Sequence, residues 1–295
     1  MSSKQNMLPV AGVLSGALVW GLVWYPYRVL QASGISGAMS TMITYLLAML
    51  VGGIWFRKVW SERSALSGWI LVLILSSGWS NLGYVIAMLH GEVMRVLLLF
   101  YMAPVWTIFF SFWLLGERLN RNGYFVVGLS LSGAAIMLWR PGFGLPLPQN
   151  LSEWLGLSAG ISFAVANVIS RRTVTLSVEA KSISVWVGAA VLTMPFIFWQ
   201  DGVIDQLFVI NKQSGVILGL MGLSLWGTSY AVQYGVTHLA ANRAAVLFLF
   251  ELVVAAVSSY FLAGEEMGWR EWIGAIPIIL ASFLSGKLYL DKSMS

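Results

Sequence analysis

The sequence contains no cysteine. That absence removes disulfides, thiolate metal centres and cysteine nucleophiles. Charge is also scarce: Asp, Glu, Lys and Arg make up 10% of the chain, against about 25% in an ordinary soluble domain. A water-soluble chain of 295 residues would need a polar surface that so few charges cannot supply. His90 and His238 are the only histidines and lie far apart in the sequence, so no histidine-based metal site is expected. No G-x-x-x-x-G-K-[ST] loop is present, which leaves ATP-driven pumping without a nucleotide site. There is no clustered Asp, His or Lys constellation of the kind an enzyme acting on lipid or polyprenyl carriers would need. The chain is therefore read as a non-enzyme without a cofactor. The net charge is +5, but the basic residues are scattered rather than set in a stripe beside aromatics, so nucleic acid is not expected as a partner.

What the chain has in abundance is apolar sequence. Hydrophobic residues make up 58% of it, with a mean hydropathy of +0.80. Cutting at charges, Gly/Pro clusters and polar turns leaves ten runs near the length needed to cross a bilayer. They cover 8–30, 36–56, 67–89, 93–115, 122–139, 152–171, 180–199, 214–236, 243–262 and 270–289. The first run is longer than a signal-peptide core and is read as a retained span. In lipid, backbone polar groups must be satisfied within a segment, so these runs are predicted to be helices. The expected fold class is an all-α integral membrane protein of ten transmembrane helices.

With the N-terminus placed in the cytoplasm, the inner ends hold Lys4, Arg57, Lys58, Arg63, Arg118, Arg121, Arg171, Arg172, Lys181, Arg243, Lys287 and Lys292. The outer ends hold Arg28, Arg95, Arg140, Lys212 and Arg270. That bias predicts a multi-pass protein of a bacterial-type inner membrane with both termini cytoplasmic.

An internal repeat runs at a constant offset of 148 residues, from Leu75–Glu117 to Leu223–Glu265. It aligns rare polar residues: Ser76 with Ser224, His90 with His238, Arg95 with Arg243, Ser111 with Ser259, and Gly116-Glu117 with Gly264-Glu265. Leu99-Phe100 also falls on Leu247-Phe248. Each half holds five spans, an odd number, so the second copy enters the membrane from the opposite side. The expected organisation is two inverted repeats, 1–141 and 151–289, with a cytoplasmic tail at 290–295. Inverted repeats of this kind are typical of secondary transporters, in which one half rocks against the other around a midplane site.

The segments Leu98–Leu119 (LLFYMAPVWTIFFSFWLLGERL) and Ala245–Glu266 (AVLFLFELVVAAVSSYFLAGEE) resemble the fourth and ninth helices of the EamA-like family of the drug/metabolite transporter superfamily. Trp20-Gly21, Arg171-Arg172, Gly128 and Gly274 add to the resemblance, which covers nearly the whole chain. It implies a ten-helix basket with a central cavity, most often exporting amino acids, related metabolites or amphipathic drugs. The two copies differ at one spot: Ala103-Pro104 of the first is Glu251-Leu252 in the second.

Glu251 stands out because it lies eight residues beyond Arg243, about 12 Å along a helix axis. A carboxylate at such depth costs about 2.5–3.5 kcal/mol on insertion scales, so it is expected to face the protein interior or a water-filled cavity. It suits a coupling proton or a substrate ammonium; the structural alternative is a carboxyl satisfied by a neighbouring helix. Trp20, Asn81, Tyr84, Tyr101, Asn167, Tyr230 and Gln233 complete the candidate substrate-binding set, since buried amides and hydroxyls look inward to bind substrate or bridge helices. For Trp20 and the tyrosines the alternative is an interfacial belt. Arg95 and Arg243 are read as gating or charge-pairing residues, with snorkelling anchors as the alternative. His90 and His238 are read as turn residues. Pro26, Pro104, Pro195 and Pro277 are expected to interrupt spans and provide bends, and Gly116-Glu117 and Gly264-Glu265 to cap helices and shape the hairpins.

The expected function is alternating-access export of a small amphipathic metabolite such as an amino acid. A cationic or aromatic compound is the alternative substrate class, held by stacking and cation–π contacts. The partners are the small-molecule substrate, the lipid bilayer, and a coupling proton or an exchanged solute.

Overall fold

The structure is a computed structural model that describes residues 3–56, 68–140, 142, 147–199, 204–264 and 268–287. Arg57, Lys58, Arg63, Glu265, Glu266 and Lys292 lie outside the described residues. Within the described residues, twelve α-helices follow one another: α1 (Ser3–Ala32), α2 (Gly37–Trp55), α3 (Gly68–His90), α4 (Val93–Phe100), α5 (Ala103–Leu115), α6 (Arg121–Leu138), α7 (Leu151–Arg172), α8 (Val178–Trp199), α9 (Lys212–His238), α10 (Ala241–Phe248), α11 (Phe250–Ala263) and α12 (Trp269–Leu284). They fall on the ten expected spans, with α4 and α5 sharing the fourth and α10 and α11 the ninth. Seven stretches among the described residues are long and apolar enough to cross a membrane, counting α4–α5 and α10–α11 as one each. α6, α8 and α12 fall on the other three expected spans.

Polar residues at the loop ends set the starts of several helices. Ser36, Asn120, Asn150 and Asn211 each accept a hydrogen bond from a first-turn N–H, as good N-cap residues do. Gly116 and Gly264 end α5 and α11 at φ 67° and 66°, in the left-handed region where a Cβ would be strained. Those paired caps satisfy the hairpin role read for the two glycines.

The fourth and ninth spans are interrupted at equivalent places. In the first copy the turn at Tyr101-Met102 precedes Pro104, which sits at the start of α5 and lacks an N–H. The ninth span has no proline there, yet α10 ends at Phe248 and a tightened turn follows, with Leu249 N–H donating to Val246 O at 3.2 Å. The break belongs to the repeat rather than to the proline. Pro26, Pro195 and Pro277 lie inside continuous helices, so of the four prolines expected to interrupt spans only Pro104 stands at a break.

The most extensive packing runs between the repeats: α1 lies on α9 and α11, α3 on α7 and α8, α2 on α8 and α9, α5 on α7, and α6 on α12. Each pairing has its repeat-related mate. Two close approaches make this possible. A Cβ on Gly21 of α1 would lie 2.9 Å from the Glu251 carbonyl oxygen, and one on Gly274 of α12 would lie 2.7 Å from the Gly133 carbonyl oxygen. The interior is divided into apolar clusters, including one around Leu99's neighbours Leu98 and Tyr101 with Leu249, Leu252 and Ile278, and one around Trp186.

Candidate substrate site

Both helix breaks open onto one cluster. Glu251 stands in the first turn of α11, where the positive end of a helix dipole favours a carboxylate. The Tyr101 hydroxyl, at the break between α4 and α5, and Tyr84 of α3 lie within electrostatic reach of that carboxylate. Tyr101 is buried, whereas Glu251 and Tyr84 are half-buried.

A row of rings continues from there. Tyr84 lies 5.0 Å from Phe100 between ring centroids, Phe100 lies 5.4 Å from Tyr101 and 5.7 Å from Phe163, and Phe163 lies 5.1 Å from Phe248. Trp20 closes the row at 5.5 Å from Phe248 and 6.3 Å from Phe163. Phe100 and Phe248 are repeat mates at the two breaks. Trp20 and Phe163 occupy matching places in α1 and α7, because Leu14-Ser15 and Leu157-Ser158 precede each by the same spacing. A carboxylate beside six half-buried or buried rings suits a solute with an apolar body and a positively charged group.

Glu251, Tyr101, Tyr84 and Trp20 are thus brought together. Phe100, Phe163 and Phe248 were missed from sequence, although the Leu-Phe pairing of the repeat pointed to two of them.

The other candidates lie elsewhere. Asn81 accepts a hydrogen bond from the Tyr45 hydroxyl at 2.8 Å and donates to Ser77 O at 2.9 Å, which makes it a bridge between α2 and α3. Tyr230 donates to Glu179 Oε1 at 3.1 Å and stacks on Phe56 at 5.2 Å. Arg95 is buried and paired with Glu153, Nε to Oε1 at 2.7 Å, and also donates to Leu147 O at 2.8 Å; it does not snorkel. Glu153 had not been singled out, though Asn150-x-x-Glu153 is a capping-box spacing, and its carboxylate indeed accepts from Gln149 N and Asn150 Nδ2 at 2.8 Å each. The repeat mate Arg243 is half-buried near Gly286, and its Nε has no hydrogen-bond partner among the described residues.

Asn167 and Gln233 belong to a second polar region where α7, α8 and α9 meet. Lys181, wholly buried, donates to Ser170 O at 2.8 Å and to Thr237 Oγ1 at 3.0 Å. Arg171 donates to Thr237 O at 2.8 Å and pairs with Glu117 at 3.6 Å, while Glu117 accepts from Ala241 N at 3.1 Å and so caps α10. Lys181 and Arg171 therefore satisfy carbonyls at the C-terminal ends of α7 and α9, where cations are favoured. One turn before Arg171 and Thr237 stand Asn167 and Gln233, both more than nine-tenths buried. Gln233 Oε1 has no hydrogen-bond partner among the described residues. Lys181 was missed because it had been counted only as a loop-end charge. No group of three or more metal-ligating side chains occurs among the described residues.

An all-helical membrane fold of two inverted, interleaved repeats with broken helices meeting at an interior carboxylate defines a membrane transporter. The model of the EamA-like transporter family matches the chain twice, over residues 7–139 and 150–286, and the chain belongs to that family. It is 28% identical to an uncharacterized transporter of Archaeoglobus fulgidus over 208 residues, spanning 66% of this chain and 68% of the relative. A solved crystal structure with 15% identity has the same fold, with a TM-score of 0.75 and coverage of 97% of this chain and 98% of its own. The family is one of transporters rather than enzymes.

Proposed function

We propose that this protein is a secondary transporter that exports a small amphipathic metabolite, with amino acids first among the candidates, by alternating access. The observation that carries the reading is the Glu251 carboxylate at the start of α11, beside Tyr101 and Tyr84, where both broken helices meet. Broken helices at an interior charged site are a recurring device for binding solute in transporters. Glu251 receives the solute's ammonium group or a coupling proton, and Trp20, Tyr84 and the phenylalanine row receive its apolar body. With no nucleotide-binding loop, energy comes from a gradient or from exchange. Both termini lie in the cytoplasm of a bacterial-type inner membrane.

The packing favours a particular moving unit. α2, α3, α8 and α9 pack among themselves, as do α4–α6 with α10–α12, and α1 and α7 bridge the two groups. Each group takes helices from both repeats, so the rocking bodies are these cross-repeat bundles rather than the two sequence halves. Trp20 and Phe163, on the bridging helices, stand at the hinge between them.

Metabolite profiling of cells and medium, comparing wild type, Glu251→Gln and an empty control, tests the proposal. Accumulation outside the cell with wild type alone supports export through the Glu251 site. Equal export by both proteins removes Glu251 from the path, and no change with wild type removes export. A second reading, efflux of a flat cationic compound, is favoured by the row of six rings; competition by such a compound in the same assay decides between them.

A further inference from the structure

A groove of about 550 Å³ opens beside the C-terminal ends of α5 and α7. Its apolar floor is formed by Leu114, Leu115 and Leu176, and its rim by Trp69, Arg172 and Thr175. Arg172 is exposed, but it is not a loose surface charge. It donates to the Leu114 carbonyl, and its guanidinium lies over the Trp69 ring, 4.8 Å from the centroid. Those two contacts fix the guanidinium at the rim and leave further N–H groups of its five available. Beyond the groove, Leu71 and Leu75 of α3 and Phe112 and Trp113 of α5 are exposed and apolar. A fixed cation at the rim, an apolar floor and an apolar belt leading away from it match one kind of molecule, with an anionic head and hydrocarbon tails.

We propose that this groove is a binding site for an anionic phospholipid, its phosphate held by Arg172 beside Trp69 and its acyl chains lying along α3 and α5. The neighbouring groove along α5 is less suited to an anion. Arg118 lies over Phe112 there at 5.4 Å, but Glu117 lines the same space, whereas among the described residues no acidic side chain lines the Arg172 groove. The basic residues at this end, Arg118, Arg121, Arg171 and Arg172, are also those whose bias predicts the cytoplasmic face, where anionic lipid attracts cations. The site is separate from the Glu251 cluster and does not depend on what is transported.

The test is native mass spectrometry of the purified full chain titrated with phosphatidylglycerol or phosphatidylcholine. Wild type is expected to retain phosphatidylglycerol preferentially. R172Q should lose about five-fold in affinity for it, the contribution of one basic side chain near an anionic surface. R118Q should bind as wild type, and R172K, which keeps the charge but not the planar stack, should fall between. Equal retention of the two lipids by wild type, or unchanged phosphatidylglycerol binding in R172Q, overturns the proposal. If R172Q does not fold, R172K decides: binding equal to wild type overturns the stacked-guanidinium site, and weakened binding supports it. Inorganic phosphate added to the phosphatidylglycerol sample separates a lipid from a soluble anion; if it competes fully with phosphatidylglycerol for the site, the lipid assignment fails.

Discussion

Arg95 and Glu153 form a buried ion pair at 2.7 Å, with side chains only 6% and 3% exposed, joining the start of α4 to the start of α7. It closes the end of the molecule opposite to the Arg171–Glu117 pair, which is longer at 3.6 Å and more exposed. α7 is therefore held by charge at both ends, tightly at one and loosely at the other.

The tight pair carries the first prediction. Removing one partner of a buried pair leaves the other charge unpaired, which costs roughly 3–5 kcal/mol. Arg95→Met and Glu153→Gln are each expected to lower thermal stability strongly in detergent. The double variant Arg95→Met/Glu153→Gln should be less destabilised than the sum of the two, because the residues act on each other directly. Additive losses would show that the pair does not couple.

The interior carboxylate makes a different prediction. Tyr101→Phe removes the hydroxyl beside Glu251 while keeping the ring against Phe100. It is expected to leave folding intact, since the ring packing remains, and to lower transport several-fold in proteoliposomes. Glu251→Gln should abolish transport. Full activity of both variants would move the solute path away from the helix breaks.

Much of this was legible in the sequence because the bilayer constrains so strongly. Ten apolar runs had to become helices, and an odd number per repeat had to invert the second copy. Glu251 was legible because a carboxylate in an apolar run is costly wherever it points. The partners were not, since they come from distant parts of the chain. Arg95 meets Glu153 across the junction between the repeats, and Asn81 is satisfied by Tyr45 rather than by a solute. Lys181 looked like an ordinary end-of-span charge, and only the convergence of α7 and α9 shows it capping α7 at Ser170 O while binding the Thr237 hydroxyl of α9. The break in the ninth span has no proline to announce it.

The glycines separate packing from resemblance. Gly128 and Gly274 both belong to the pattern that resembles the family, yet a Cβ on Gly128 would meet nothing within 4 Å, whereas one on Gly274 would meet Met137 Cγ and the Gly133 backbone. Gly274→Val is expected to force α6 and α12 apart and cost about 1–3 kcal/mol. Gly128→Ala should be neutral or stabilising, by up to about 1 kcal/mol of helix propensity. Thermal unfolding of the two variants in the same detergent checks the contrast; equal losses would show that the α6–α12 contact is not made through Gly274.

The unsatisfied Gln233 amide of the second polar region carries the last prediction. A buried acceptor without a partner costs about 1–3 kcal/mol, so Gln233→Leu, which removes the orphaned oxygen, should fold as well as wild type or better. A purely structural amide would behave in the opposite way, since its loss would break a bond. If Asn167 and Gln233 instead face the path along which solute or water passes between the Glu251 cluster and the Lys181 end, Gln233→Leu and Asn167→Leu will slow transport several-fold without loss of stability. Paired measurements of unfolding temperature and proteoliposome flux separate the cases. Reduced stability together with reduced flux would assign the amides to helix bridging, and unchanged flux in stable variants would place them off the path.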